Sequence, residues 1–359
     1  MTRSPDPRMS AATMHRPALS VVVPCYNEAL NLEPLHQRVS AAARAAVGED
    51  YELILINDGS RDDSWAVMRR LAAHDPRVVA INLSRNHGHQ LALTAGLDLC
   101  GGSEILIIDA DLQDPPELLA DMRRVMALEA ADVVYAVRRR REGETLFKRA
   151  TAALFYRLLD RVTDTPIPLD TGDFRLMSRR ALDAFLSLPE QARFIRGMVA
   201  WIGFRQVPFP YDRAERHAGE TNYPLGKMMR LALDAVTGFS TAPLRFASHA
   251  SVILAAASVL LLFYIAYGYF RGDPVQGWTS TMLVVTVLSA VQMFVLGMIG
   301  EYLGRLYVES KRRPLYLVTD VAGPVQGRAT LGYRAEEPEA GTASVTMDTP
   351  GVIGTLPTR

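Results

Sequence analysis

The stretch Glu104–Glu117 reads EILIIDADLQDPPE, an apolar run that ends in acidic and amide side chains. A short apolar run of this kind predicts a buried strand over Glu104–Ile108. Asp109 and Asp111 follow the strand directly, so both carboxylates can turn toward one point at its end. Oxygen ligands in this arrangement suit Mg²⁺ or Mn²⁺, which also bind substrate phosphates. We therefore expect a divalent-cation site at Asp109 and Asp111.

Four further apolar runs predict strands on either side of this stretch, and helical segments of about 10–15 residues separate them. Such alternation predicts an α/β fold with a mostly parallel sheet covered by helices on both faces. Ligands of these sheets bind beyond the carboxyl ends of the strands. The predicted strands are Ser20–Pro24, Tyr51–Asn57, Val78–Leu83, Glu104–Ile108 and Asp132–Val137, and the predicted helices are Asn31–Val47, Ser64–Ala73, His89–Leu99 and Pro115–Leu128.

Two more polar clusters follow the first two predicted strands, at Pro24–Glu28 (PCYNE) and Asn57–Asp63 (NDGSRDD). Asp58 can accept a hydrogen bond from a nucleobase, and Tyr26 can pack against a base or ribose. Taken singly, each cluster is as well explained by a helix N-cap as by a ligand site. Taken together with the Asp109 loop, they predict one nucleotide pocket.

Charge and cysteine content exclude several classes of protein. Lys plus Arg and Asp plus Glu both number 39, so net charge indicates no nucleic-acid partner. Cys25 and Cys100 are too few for a disulfide framework or a zinc site, and His87 and His89 have no third ligand nearby. No Gly-x-Gly-x-x-Gly and no Walker A sequence follows a predicted strand, which argues against an NAD-dependent enzyme.

Two long uncharged runs, Val252–Phe270 and Thr279–Gly300, indicate a membrane protein rather than a soluble one. About 20 apolar residues span a bilayer core, so these runs predict a hairpin of two transmembrane helices, at about 250–270 and 279–303. Basic residues stand outside both ends of the pair, whereas the short connector Arg271–Trp278 is near neutral in charge. The positive-inside rule then places both ends and the catalytic domain in the cytoplasm, as a multi-pass protein of the inner membrane.

The rest of the chain divides by composition. The first residues lack the apolar core of a signal peptide, and the last ones are rich in Gly, Pro and Thr without periodicity. Mixed apolar and basic residues before the hairpin predict a segment in the membrane interface. The predicted order is a disordered leader (1–17), an α/β domain (18–222) that the resemblance described next identifies as a GT-A catalytic domain, an interfacial helical segment (223–246), the hairpin (247–303), a cytoplasmic basic return segment (304–321) and a disordered tail (322–359).

The chain resembles glycosyltransferase family 2, which has the GT-A fold, over about residues 18–318. Within it, the sequence is similar to the polyprenyl-phosphate glycosyltransferases, the group of dolichyl-phosphate mannose synthase and the bactoprenol glucosyltransferases. The blocks that carry the resemblance are VVVPCYNE (21–28), INDGSRDDS (56–64), SRNHGHQLALTAGLD (84–98), IIDADLQDPPE (107–117), TGDFRLMSRR (171–180), RFIRGMVAWIGF (193–204) and RHAGETNYPLGKM (216–228).

The resemblance implies inverting, metal-dependent transfer of a sugar from a UDP-sugar to polyprenyl (undecaprenyl) phosphate at the cytoplasmic membrane face, in building or modifying cell-envelope glycans such as lipopolysaccharide. Glucose is favoured, while N-acetylglucosamine, mannose and 4-amino-4-deoxyarabinose stay open, as does a homo-oligomer. A processive polysaccharide synthase is disfavoured because two spanning helices are too few for a polymer channel. A non-catalytic membrane scaffold is disfavoured because Asp109, Asp111 and Asp173 are intact.

The resemblance also implies roles for particular residues. Asp111 and Asp173 are the implied catalytic residues, with Asp173 as a base or as a group that positions the acceptor. Because the acceptor phosphate is largely anionic, Asp173 is expected to orient more than to abstract a proton. Where many relatives read Ser-Lys-Tyr, this chain has Asn222 in place of the lysine. The implied nucleotide-sugar contacts are Pro24, Tyr26, Glu28, Asp58, Asp109 and Gln113, and the implied acceptor or phosphate contacts are Arg138, Arg196, Arg216 and Lys227.

Overall fold

The computed structural model describes residues 16–139, 171–212, 242–271 and 277–324. The strands are β1 (Leu19–Cys25), β2 (Tyr51–Asn57), β3 (Val78–Leu83), β4 (Glu104–Ile107), β5 (Val133–Arg138), β6 (Thr171–Ser178), β7 (Gln206–Tyr211) and β8 (Val318–Ala322). The helices are α1 (Ala29–Val47), α2 (Ser64–His74), α3 (His89–Leu99), α4 (Leu119–Leu128), α5 (Arg179–Leu186), α6 (Ile195–Trp201), α7 (Ala242–Phe270) and α8 (Trp278–Ser310), with a single 3-10 turn at Pro116–Leu118.

The strands of the described chain form one mixed sheet in the order β7-β5-β6-β4-β1-β2-β3-β8. The central strands β4, β1, β2 and β3 are parallel, and β5 is parallel to β7. β6 runs antiparallel between β4 and β5, and β8 runs antiparallel to β3 at the far edge. The predicted α/β fold of GT-A type, with a mostly parallel sheet and helices on both faces, is confirmed.

Strand β1 lies in the middle of the sheet and is buried along its whole length. Successive side chains of a strand point to opposite faces. Val21 and Val23 accordingly pack in the layer formed by α1, α2 and α4, while Val22 packs in the layer formed by α3, α5 and α6. Burial on both faces explains why the strand reads as an unbroken apolar run. Gly96 lets α3 approach this sheet, because a Cβ there would lie 2.5 Å from side-chain atoms of Val22 and Ile56.

Three strands were not predicted from the sequence. β6 and β7 come from the second half of the predicted catalytic domain, where no strand was expected. β8 comes from the predicted basic return segment, whose first residues belong instead to the end of α8. The consequence is that chain on both sides of the two long helices contributes to a single sheet.

The long helices α7 and α8 lie where the two transmembrane helices were predicted. In the part of the chain that the structure describes, Val284–Ser310 is long and apolar enough to cross a membrane, and the first helix holds a shorter apolar part, Ala247–Leu261. Large apolar side chains point away from the protein on both helices, among them Phe263 at 68% exposure and Phe294 at 58%. Exposed apolar surface of this extent suits contact with lipid. The domain boundaries remain predictions, and the leader up to residue 15, most of the interfacial segment and the tail after residue 324 lie outside the described residues.

Candidate active site

The loops after β1 and β2 lie side by side at the carboxyl edge of the sheet and are joined by hydrogen bonds. The Asn27 amide donates to Ser60 Oγ (3.0 Å), and the Glu28 amide donates to Ser64 Oγ (2.9 Å). In return the Arg61 amide donates to Asn27 Oδ1 (2.8 Å). Asn27 has a left-handed backbone, which Asn tolerates better than most residues. These contacts make the two loops one unit.

Asp58 ties this unit to the loop before α3. Its side chain is buried, with one carboxylate oxygen accepting from the His87 amide (2.7 Å) and the other from the Gly88 amide (3.0 Å). Burial raises the pKa of Asp58, against the lowering effect of these two hydrogen bonds. Gly59 allows the loop after β2 to lie close to the loop before α3, since a Cβ at Gly59 would lie 2.5 Å from the backbone of Arg85. Any contact of Asp58 with a nucleobase would therefore come in addition to this structural role.

The remaining predicted nucleoside residues frame the same edge. Pro24 is buried in β1, whereas Tyr26 is 42% exposed at the rim of the loop. Glu28 is half-buried and accepts from Asn31 Nδ2 (2.6 Å). The exposed Tyr26 ring is thus available to stack on a flat ligand, while Pro24 and Glu28 support the loop beneath it.

Asp109 and Asp111 follow β4 as predicted. Asp111 is buried and its Oδ1 accepts from the Gln113 amide (3.1 Å), while Leu112 between them has a left-handed backbone with φ of 60°. A bulky residue in this conformation is strained, and strain of this kind is concentrated at functional sites. The left-handed turn and the bond from the Gln113 amide hold the Asp111 carboxylate in the loop after β4.

Asp109 carries an unbalanced charge. Burial and the carboxylates of Asp173, Asp114 and Asp111 raise its pKa, His89 lowers it, and the net pKa is about 6. Its Oδ1 is buried and has no hydrogen-bond partner among the described residues. A buried carboxylate oxygen without a donor is costly, and a cation would remove that cost.

This donor set fits a divalent cation. No group of three or more His, Cys, Asp and Glu within the described ranges is arranged to hold a metal by itself. Mg²⁺ is commonly held by one or two carboxylates together with substrate phosphates. Asp109 and Asp111 are suited to hold such an ion when a diphosphate completes its coordination.

Asp173, on β6, is the most densely bonded carboxylate of the site. It is 2% exposed; Arg196 Nε donates to Oδ1 (2.8 Å), and His89 Nε2 (2.9 Å) and Gln90 Nε2 (3.2 Å) donate to Oδ2. Arg175 lies behind it, with Nη2 3.6 Å from Oδ1. Burial alone would raise the pKa of Asp173, but Arg196 and then His89 hold it well below its usual value. Such a carboxylate stays ionised and is a poor proton acceptor.

His89 connects Asp173 to the predicted metal ligands. It begins α3, and its Nε2 lies 3.7 Å from Asp109 Oδ1 as well as close to Asp173. Burial lowers the pKa of His89, but the hydrogen bond to Asp173 and the charge of Asp109 outweigh it, so the net pKa is raised. A protonated imidazole between the two carboxylates offsets their repulsion.

Arg138 ends β5 on the other side of Asp173. Its Nη2 would lie 3.5 Å from a Cβ placed on Gly172. Nearby, Tyr211 donates a short hydrogen bond to the buried Asp114 and packs edge-on against Phe174 with ring centroids 5.6 Å apart. Arg138 on β5 and Tyr211 on β7 therefore lie on the Asp173 side of the site. Tyr211 also connects the loop after β4 to this side through its bond to Asp114.

Comparison with known proteins assigns the chain to a family. The sequence pattern of glycosyl transferase family 2 matches residues 20–186, and that of a GtrB C-terminal hairpin matches residues 242–306. The uncharacterized glycosyltransferase YkcC of Bacillus subtilis (strain 168) is 48% identical over 300 residues, which are 83% of this chain and 92% of that protein. The chain belongs to glycosyltransferase family 2. It is a glycosyltransferase, as the resemblance implied.

Other relatives of this family 2 glycosyltransferase carry a more specific name. The bactoprenol glucosyl transferase of Shigella phage SfV is 36% identical over 301 residues, 84% of this chain and 97% of that protein. Among solved structures, glucosyl-3-phosphoglycerate synthase from Mycobacterium tuberculosis, in complex with Mn²⁺ and UDP-glucose, has a TM-score of 0.42 and 21% identity, covering 62% of this chain and 78% of that one.

The glycosyltransferase site contains residues that were not predicted. Gln90, Arg175, Asp114 and Tyr211 have no role predicted from the sequence, and His89 enters the sequence analysis only as a disfavoured metal ligand. The one available signal was the block SRNHGHQ, which places two side chains with donor groups at the start of a helix. Of the predicted residues, Arg138 and Arg196 lie on the Asp173 side, whereas Arg216, Asn222 and Lys227 lie outside the described residues.

Proposed function

We propose that this glycosyltransferase transfers a sugar, with glucose favoured, from a UDP-sugar to polyprenyl (undecaprenyl) phosphate at the cytoplasmic face of the inner membrane. The proposal rests on two neighbouring sites that His89 connects. One is the carboxylate pair Asp109 and Asp111, which suits a metal, and the other is the Asp173–Arg196 ion pair, which suits an anion. The relative from Shigella phage SfV, 97% of whose length aligns with this chain, is named bactoprenol glucosyl transferase. The apolar helices suit a lipid-linked acceptor.

The donor side consists of the first three polar loops. Tyr26 is exposed where a base or ribose can stack on it, and the joined loops after β1 and β2 fix its position. Asp109 and Asp111 would hold Mg²⁺ or Mn²⁺ against the diphosphate. When bound, the ion supplies positive charge that neutralises the leaving UDP. Gln113 stands next to this pair, with its backbone amide already bonded to Asp111.

The acceptor side consists of residues around Asp173. Asp173 stays ionised, and it orients the guanidinium of Arg196, whose planar donors suit a phosphate. In the proposed step an oxygen of the lipid phosphate bonds to the sugar C1 while the bond from C1 to the diphosphate breaks. The acceptor is already an anion, so no proton has to leave it. Direct displacement of this kind inverts the anomeric centre.

Purified protein in detergent, undecaprenyl phosphate and a panel of labelled nucleotide-sugars test the proposal. We expect labelled lipid from UDP-glucose with Mg²⁺ or Mn²⁺, and loss of that product with EDTA. Parallel reactions with UDP-N-acetylglucosamine, GDP-mannose and a 4-amino-4-deoxyarabinose donor decide the sugar. Failure of every donor to label the lipid would reject the acceptor, and full activity in EDTA would reject the metal.

A further inference from the structure

The last turn of α8 contacts the loop 187–194, which connects α5 to α6. Glu309 Oε1 accepts a hydrogen bond from the backbone amide of Gln191 (2.8 Å), across 118 residues of sequence. Glu309 is half-buried, unlike most of its neighbours on the helix. Arg193, in the same loop, is surrounded by Glu309, Glu190 and Asp98. The end of the predicted membrane helix is therefore bonded to a loop of the catalytic domain.

The chain that follows α8 strengthens this junction. Tyr316 is buried, and its hydroxyl donates to Asp98 Oδ2 on α3 (2.8 Å). The Ser84 amide donates to the Leu317 carbonyl (2.8 Å), and β8 then pairs with β3. The helix end is held on one side by Glu309 and on the other by the segment after it, so it has a fixed position against the catalytic domain.

The same loop is fastened at its other end to the acceptor side of the site. The Ile195 amide, at the start of α6, donates to Gln90 Oε1 (2.9 Å). Gln90 also donates to Asp173 through Nε2, and Arg196 in the first turn of α6 pairs with the same carboxylate. The loop 187–194 thus spans from the end of α8 to the helix that carries Arg196.

We infer that Glu309 is a positioning residue for the acceptor phosphate. The inference rests on the proposed function and deepens it. The bilayer fixes how far the phosphate of a polyprenyl phosphate lies from the membrane surface. Arg196 can contact this phosphate only if α6 is held at the same distance from the surface. The bond from Glu309 to the Gln191 amide fixes the loop, and with it α6, relative to the helix embedded beside the lipid.

Three variants test the role of Glu309. Glu309→Ala removes the acceptor of the Gln191 amide, whereas Glu309→Gln keeps an oxygen that can accept it. Glu301→Ala is the matched control, because Glu301 lies on the same helix, is exposed and pairs only with Arg305 among the ion pairs of the described chain. The apparent KM for undecaprenyl phosphate, the KM for the nucleotide-sugar and kcat are measured for each.

For Glu309→Ala we expect the acceptor KM to rise about tenfold or more, the loss typical of one hydrogen bond to a charged group, with the nucleotide-sugar KM and kcat unchanged. Glu309→Gln and Glu301→Ala are expected to stay within about twofold of the wild type. An unchanged acceptor KM in Glu309→Ala, or an equal rise in both KM values, overturns the inference.

A second measurement separates this inference from the proposed function. If the wild-type protein makes no lipid product, the acceptor assignment fails, and the Glu309 contact is judged by amide hydrogen exchange in detergent. Faster exchange over 189–196 in Glu309→Ala than in Glu301→Ala supports the positioning contact. Equal exchange in the two variants overturns it.

Discussion

Asp109, which is partly buried, and Asp173, which is buried, lie at the same sheet edge, and their surroundings push their pKa values in opposite directions. Arg196 and His89 surround Asp173 with positive charge and hold its pKa well below the usual value. Burial and three neighbouring carboxylates raise the pKa of Asp109 to about 6. Asp173 has its countercharges within the protein, whereas Asp109 has only the more distant His89 against three carboxylates and is suited to a cation that arrives with the substrate.

Asp111→Asn tests the metal assignment at the residue scale. Loss of one of two carboxylate ligands is expected to cost about a thousandfold or more in kcat, because the metal stabilises the leaving diphosphate. The circular dichroism spectrum and thermal midpoint are expected to stay close to those of the wild type. Asp121→Asn is the matched control, since Asp121 is an exposed residue of α4 whose ion pair is with Arg124 on the same helix. Transfer by Asp111→Asn at a near-normal rate would contradict the assignment.

Asp173→Asn tests the buried cluster. Removing this carboxylate leaves the guanidinium groups of Arg196 and Arg175 without their countercharge, which is expected to cost about 3 kcal/mol or more of unfolding free energy. Transfer is expected to fall as well, because Arg196 loses the partner that orients it. The surface variant Asp183→Asn is expected to change stability by less than about 0.5 kcal/mol.

The effect of Asp173 on stability depends on pH in a defined direction. Its pKa is lower in the folded protein than in the unfolded chain. Its contribution is therefore complete above the unfolded pKa of about 3.9 and is lost as the pH falls through the folded value. Thermal midpoints of the wild type and Asp173→Asn are expected to differ most at pH 6–8 and to converge below about pH 4. A gap that widens as the pH falls would contradict this account.

At the scale of elements, β1 to β5 were predictable, whereas β6, β7 and β8 were not. β1 to β4 are parallel, buried on both faces and therefore mostly apolar, which is the pattern that sequence reading detects best. β6 carries the buried charges Asp173 and Arg175, β7 contains two prolines at the sheet edge, and β8 is half-exposed. Polar, proline-containing or exposed strands give no clear periodicity.

The candidate site shows the same division. Asp109 and Asp111 were predictable because they follow a strand in the sequence and face the edge where that strand ends. His89 and Gln90 gained their roles only from Asp173, which lies more than 80 residues further along the chain. A contact over that distance depends on the insertion of β6 between β4 and β5, which no local pattern predicts.

Gly59→Ala tests the joined loops of the donor side. Gly59 and Gly48 both have positive φ, of 64° and 67°. An alanine at either position is expected to cost about 1–3 kcal/mol of backbone strain. Only at Gly59 would the new Cβ also lie 2.5 Å from the backbone of Arg85, whereas Gly48 has nothing within 4 Å.

The measurement compares thermal midpoints and nucleotide-sugar KM values of the two glycine variants. Gly59→Ala is expected to be the less stable and to raise the nucleotide-sugar KM, because the loops after β2 and β3 must move apart. Gly48→Ala is expected to lose stability without a change in KM. Equal KM values in the two variants would show that this loop contact does not shape the donor pocket.

At the scale of the whole molecule, the sheet limits how the chain crosses a membrane. β8 follows α8 and pairs with β3 of the catalytic domain. If the long helices span a bilayer, the chain before α7 and the chain after α8 must therefore lie on the same side of it, which leaves an even number of crossings. Since Val284–Ser310 is long and apolar enough to span, a second crossing by α7 is favoured over a single crossing.

Topology mapping tests this two-span arrangement, in which both chain ends are cytoplasmic and the connector after α7 is on the other side. Gly272→Cys and Ser310→Cys are probed with an impermeant maleimide in right-side-out vesicles and again after permeabilisation. Cys25 and Cys100 can stay in place, because burial raises the pKa of both thiols and keeps them unreactive. We expect labelling at 272 in sealed vesicles and at 310 only after permeabilisation. Labelling at 310 but not at 272 in sealed vesicles is the pattern of a single crossing by α8, and it would also be incompatible with the pairing of β8 and β3.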